Sequence, residues 1–134
     1  MPVALDLVYL VALVAASPWL LWRRVRTGRY RHGLGAKLLG RVAVPLDPRP
    51  TVWFHGVSVG EVHLLATLVA AFRRRHPDWR VVVSSTTDTG LAEARTRFAD
   101  LTVVPYPFDF SWAVGRALDT IRPRLVVLAE SELW

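Results

Sequence analysis

Four short apolar runs rich in β-formers alternate with stretches of helical periodicity, and that alternation limits the fold more than any other feature of the chain. The runs are 51–55 (TVWFH), 80–84 (RVVVS), 101–105 (LTVVP) and 124–129 (RLVVLA). Between the first two, Val62, Leu65, Val69 and Phe72 recur at helical spacing over 59–75. Residues 89–98 and 111–121 read as helices in the same way, the latter with Val114, Ala117 and Ile121 on one face. Near-continuous apolar strands separated by helices predict a parallel sheet covered on both faces and joined by right-handed crossovers. The expected fold class is α/β, a Rossmann-like parallel sheet. No glycine-rich dinucleotide fingerprint follows the first strand, which argues against a nicotinamide or flavin cofactor.

Residues 3–22 precede this body as a run of 20 with one charge, Asp6. As a helix they would span roughly 30 Å, one hydrocarbon core. Trp19 and Trp22 fall at one end, at headgroup level. The rival readings are a buried core helix and a cleaved signal peptide with Val14-Ala15-Ala16 as its cleavage box, but no basic residues precede the apolar run. The expectation is a transmembrane anchor over 1–22, a basic juxtamembrane segment over 23–48, and an α/β domain over 49–134. Arg23, Arg24 and Arg26 would hold the body on the cytoplasmic side. The chain stops directly after the fourth strand, so a fragment of a longer protein is expected.

Composition sharpens this. The net charge is +6, yet residues 42–134 carry ten bases and ten acids; the excess lies in 23–41, with seven bases and no acid. A basic strip behind an apolar run reads as membrane-surface chemistry rather than nucleic-acid binding. Two readings stand: topology alone, or grip on anionic lipid headgroups through Arg29, Arg31 and Lys37. Lys37 and Arg41 would lie one helical turn apart and could share a phosphate. With 52% hydrophobic residues the chain is not disordered, and with no cysteine it holds no disulfide, thiolate zinc site or cysteine nucleophile.

Ligands of open α/β sheets bind outside the carboxyl ends of the strands. Ser58-x-x-Glu61 there reads either as a capping box or as the seat of a general base. Gly60 favours the second, because a capping box does not need glycine whereas close approach of a substrate does. The polar run 84–89, with Thr86, Thr87 and Asp88, suits phosphate or sugar hydroxyls, or is an ordinary helix cap. Glu130 and Glu132 follow the last strand as a like-charged pair or a solvated turn. His55, His63 and His76 read as structural. No His/Asp/Glu spacing marks a metal site.

The string 53–62 (WFHGVSVGEV), followed by Ser85-Thr86-Thr87-Asp88-Thr89-Gly90, Pro107-Phe108-Asp109 and Glu130-Ser131-Glu132-Leu133-Trp134, resembles the N-terminal half of bacterial Kdo transferases. These are 3-deoxy-D-manno-octulosonic acid transferases of lipopolysaccharide biosynthesis. The resemblance implies the first half of a membrane-anchored GT-B glycosyltransferase, with the C-terminal donor domain missing and the fragment inactive alone. It implies an inverting reaction without bound metal or other cofactor, CMP-Kdo as donor and a lipid A precursor as acceptor. Glu61 matches the family's catalytic base and Glu130 a supporting acid. The alternative is a non-catalytic, membrane-tethered α/β module that binds a lipid or a partner.

Overall fold

The computed structural model describes residues 2–27 and 33–129. Its elements are α1 (Pro2–Thr27), α2 (Leu34–Leu39), β1 (Thr51–Gly56), α3 (Val59–Arg75), β2 (Arg80–Ser85), α4 (Asp88–Arg97), β3 (Thr102–Pro105), α5 (Ser111–Ile121) and β4 (Leu125–Leu128). All four strands are parallel, in the order β3-β2-β1-β4. The α/β expectation, a parallel sheet of Rossmann-like order, is met.

Side-chain parity along the strands builds two cores. Val52, Phe54, Val81 and Val83 face one way and pack with Val62, Leu65 and Val69 of α3 and Ala94 of α4. Trp53, Val82 and Val104 face the other way, onto Ala117 and Ile121 of α5. Every residue of β1 and β2 is buried, as strands covered on both faces must be. The first two crossovers run β1 to β2 to β3 with their helices on one face. The third returns past β1 to β4 with α5 on the other. Right-handed crossovers require that reversal, and it places a switch point between the carboxyl ends of β1 and β4. β4 departs from the expected buried strand: Leu125, Val126 and Leu128 are 43%, 44% and 38% exposed.

The transmembrane anchor expected over 1–22 is not supported: among the described residues no helix is long and apolar enough to cross a membrane. α1 continues through the arginines to Thr27, and its first turns dock on the body. The Asp6 carboxylate, expected to reach water at a membrane edge, accepts from the Ser111 backbone N–H at 2.9 Å and from the Ser111 hydroxyl. It thereby caps α5, whose own N-cap, Phe110, offers no side-chain acceptor. Tyr9 meets Phe110 edge to face at 6.2 Å. Pro18 sits inside α1 and cannot donate to the Val14 carbonyl four residues back; the Ser17 hydroxyl donates to that carbonyl instead, at 2.7 Å.

α2 is short and ends at Gly40, which has φ +61° and lies against the Ala113 backbone. Arg41 is therefore off the helix, and the expected one-turn pairing of Lys37 with Arg41 does not form.

Candidate functional site

α3 begins where β1 ends, and Ser58 is its N-cap, with extended φ and ψ of −111° and 170°. Its hydroxyl oxygen accepts from the Glu61 N–H at 3.4 Å. The Glu61 carboxylate reaches back: Oε1 accepts from the Ser58 hydroxyl at 3.1 Å, and Oε2 accepts from the Val57 N–H. This is the reciprocal pattern of a capping box, with the returning bond one residue further upstream than usual. Glu61 is half-buried at the switch point, and both its oxygens are engaged by its own loop. To act as a base, the carboxylate must exchange the Ser58 hydroxyl for a substrate hydroxyl. That is a side-chain rotation, with the Val57 N–H as pivot.

Gly60 is exposed, and a Cβ built there meets nothing nearer than the Ser58 Oγ, at 3.9 Å. The fold does not require glycine at this position, and the space it leaves open adjoins Glu61. Gly90 is the contrast. A Cβ there would lie 2.3 Å from Ser85 Oγ and 2.8 Å from Thr87 Oγ1, so packing alone explains it.

Val57 joins this loop to the next. Its carbonyl accepts from the Ser85 hydroxyl at 3.0 Å, the Thr87 hydroxyl at 2.8 Å and the Thr87 N–H at 3.3 Å. Thr87 is the N-cap of α4 and its Oγ1 accepts from the Gly90 N–H at 3.0 Å. Residues 84–89 are thus an ordinary cap as well as a rim. With Asp88 in the first turn of α4, the rim suits hydroxyl donors better than phosphate, because a carboxylate repels an anion there.

Lys37 reaches the same loop from below and is not the lipid-facing cation expected of it. It is 8% exposed; its Nζ donates to the Thr86 carbonyl at 2.8 Å and pairs with Asp88 Oδ1 at 3.3 Å.

Beneath Thr86 lies a buried polar chain. The Trp53 Nε1–H donates to Ser84 Oγ at 2.8 Å, and Ser84 Oγ lies 2.9 Å from His55 Nδ1. Having accepted from the indole, the serine has its own proton for Nδ1. His55 Nε2 then carries the ring proton, towards Thr86 Oγ1 at 3.4 Å. His55 stacks on Tyr106 with ring centroids 4.0 Å apart. Burial pushes its pKa down to about 4, against smaller upward pulls from the Ser84 backbone and the Glu61 charge. The histidine is therefore neutral at pH 7. Above pH 6.5 neither folded nor unfolded chain protonates it. Between pH 6.5 and 4 only the unfolded chain does, so stability falls as pH falls, by up to about 3 kcal/mol. Urea denaturation at pH 7 and 4.5 is expected to show that loss in the wild type and a smaller one in His55→Gln. Equal losses would remove His55 as the cause.

On the same rim, burial raises the pKa of Asp109, and burial followed by the Asp109 charge raises that of Tyr106. Two cavities, of about 580 and 420 Å³, lie at the opposite end of the sheet, and Arg80 lines both. There the Arg80 guanidinium donates to Thr51 Oγ1, the Pro45 carbonyl and the Ile121 carbonyl at 2.9, 2.5 and 3.0 Å. That arginine joins chain segments and serves no rim chemistry.

Of the expected site residues, Ser58, Gly60, Glu61, Thr86, Thr87 and Asp88 come together through Val57, with Lys37 behind them. Arg29, Arg31 and Glu130 lie outside the described residues. The sequence reading missed Val57, whose role is carried by its peptide and leaves no side-chain signal. Among the described residues no three His, Asp or Glu side chains are grouped to hold a metal ion.

The family model described as 3-deoxy-D-manno-octulosonic-acid transferase (kdotransferase) matches residues 24–134. The chain belongs to the Kdo transferase family. A 3-deoxy-D-manno-octulosonic acid transferase of Chlamydia pneumoniae is 38% identical over 132 residues, covering 96% of this chain and 30% of the relative. That of Bordetella pertussis is 34% identical, covering 95% and 32%, and that of Haemophilus influenzae 28%, covering 82% and 26%. The chain thus spans about a third of the length of these Kdo transferases. No solved structure matches it. The family match takes in α2, Lys37 and the whole α/β body but leaves most of α1 outside.

Proposed function

We propose that this chain is the acceptor-binding portion of a glycosyltransferase that moves Kdo from CMP-Kdo to a lipid A precursor, with Glu61 as general base. The observation that carries the reading is a carboxylate at the β1/β4 switch point, beside a glycine the fold does not need, in a chain of this family. The acceptor sugar hydroxyl displaces Ser58 at Oε1 and gives up its proton to the carboxylate. The resulting oxygen nucleophile attacks the Kdo anomeric carbon from the face opposite CMP, which leaves with its bonding pair, and the configuration inverts. Thr86, Thr87 and Asp88 accept from other acceptor hydroxyls. Glu130, two residues past β4 in the sequence, would support the site, and the chemistry needs no resident cofactor.

A lipid surface is part of the proposal. On α1, Val3, Leu7, Val11, Val14 and Val25 are 76%, 62%, 62%, 63% and 86% exposed. Arg23 and Arg26 lie over the Trp19 and Trp22 rings at 4.9 and 4.8 Å. Apolar side chains with indoles and arginines together suit the boundary between acyl chains and headgroups. The basic strip that includes Arg29 and Arg31 would be drawn to the anionic cytoplasmic leaflet of the inner membrane. Confinement to the surface that holds the acceptor raises its effective concentration.

The test grafts this chain in place of the corresponding third of the Chlamydia pneumoniae transferase and supplies CMP-Kdo with lipid A precursor. Transfer of Kdo is the expected result; a graft that folds and binds both substrates without transfer refutes the reading. Gly60→Ala in the graft is expected to leave stability unchanged or raise it by up to about 1 kcal/mol, since alanine suits a helix better. Transfer should fall at least tenfold through a higher acceptor KM. Unchanged kinetics would show that no substrate approaches there. One observation favours the second reading, a non-catalytic module: the carboxylate is already spent on its own loop.

A further inference from the structure

We infer that Lys37 is a positioning residue for the Glu61 carboxylate, acting through the Thr86–Thr87–Val57 backbone rather than by touching a substrate. A buried ammonium is costly unless paired. This one is 8% exposed and meets its needs on a single loop, at the Thr86 carbonyl and the Asp88 carboxylate. Thr86 is thus held from two sides, its carbonyl by Lys37 and its hydroxyl facing His55. The next residue, Thr87, donates twice to the Val57 carbonyl. The N–H of Val57 donates to Glu61 Oε2. An unbroken series of bonds therefore runs from α2 to the carboxylate.

α2 is itself fixed. The Leu38 carbonyl accepts from the Trp112 Nε1–H at 2.9 Å, and the Lys37 carbonyl accepts from the Phe108 N–H at 3.0 Å. Gly40 lies against Ala113. α5, which anchors α2 in this way, is the helix capped by Asp6 of α1. α2 is thus strapped under the rim by its contacts with Phe108, Trp112 and Ala113. This rests on the transferase reading only for what the carboxylate does.

The decisive measurement is made on the chain as it stands. An amide proton bonded to a carboxylate resonates far downfield, and Glu61→Gln sets the position of the Val57 amide without that charge. In Lys37→Met, with Glu61 intact, the Val57 amide is expected to move towards that position. The Gly90 and Leu91 amides should exchange about tenfold faster, as for loss of a hydrogen bond to a charged group, while the Val69 amide in α3 is unchanged. Lys37→Arg should restore both. A Val57 amide that stays put, or equal acceleration at Val69, overturns the proposal. If Lys37→Met does not fold, Asp88→Asn removes the negative charge facing the ammonium at a half-exposed position. It should shift Val57 in the same direction by less, and no shift is again refutation.

In the grafted transferase, Lys37→Met should lower kcat about tenfold, with any rise in acceptor KM smaller than that. A rise in KM alone would mean that the lysine contacts the acceptor. If the wild-type graft transfers nothing, the transferase reading fails, and the amide measurements still decide the role of Lys37.

Discussion

In the grafted transferase, if Glu61 is the proposed base, Glu61→Gln is expected to reduce transfer by a factor of roughly 10² to 10⁴, the usual contribution of a positioned general base, while the protein stays folded. The substitution separates the observed capping role of this side chain from the proposed catalytic one. A glutamine oxygen still accepts from the Val57 N–H, and glutamine is as good a capping-box residue as glutamate. What it cannot do is take a proton. The lost negative charge at the start of α3 should cost only about 0.3–1 kcal/mol. Glu61→Ala, by comparison, removes the capping bonds too and should lower both stability and turnover. If Glu61→Gln keeps a wild-type kcat, the carboxylate is a cap and nothing more, and the non-catalytic module becomes the better account.

Gly40→Ala is expected to be the most damaging of the single-methyl additions in α2 and its flanks, at about 3 kcal/mol or more. A Cβ there would lie 2.0 Å from the Ala113 carbonyl oxygen, on backbone that cannot swing away, and φ is +61°. In a chain of this size that is a fall of roughly 10–15 °C in Tm. Two neighbours divide the effect into its causes. Gly33 has φ +88° with nothing within 4 Å of a Cβ, so Gly33→Ala carries the backbone strain alone, about 1–2 kcal/mol. Gly35 has open space and no positive φ, so Gly35→Ala should be neutral or stabilising by up to about 1 kcal/mol. Thermal melts of the three variants should rank in that order. A Gly40→Ala melt no lower than that of Gly33→Ala would mean that α2 is not held against α5 as described.

The parallel sheet was legible because it is written locally. Val81, Val82 and Val83 form a run that only a strand covered on both faces tolerates. Val62, Leu65 and Val69 stand on one stripe of α3 and all three enter the core. The rim was legible in part for the same reason, since strand ends and caps carry their own residue types. What could not be read were contacts between distant segments. Asp6 in an apolar run reads as a charge seeking water, yet it meets Ser111 across 105 positions. Lys37 in a basic strip reads as a headgroup ligand, yet it turns inward to Thr86 and Asp88. Neither pairing leaves a periodicity or a spacing, because side-chain pairs at long range depend on how finished elements dock. Arg41 shows a smaller version: its helical spacing from Lys37 was real in sequence, and the left-handed Gly40 between them cancelled it.

Strand order also governs when the rim comes into being. β1 pairs with β2 through residues 51 and 80, but with β4 only through residues 52 and 125. The second closure spans more than twice the chain, and long loops are entropically slower to close. The switch point beside Glu61 should therefore take shape last as the polypeptide folds, and by the same token should be among the first places to come apart.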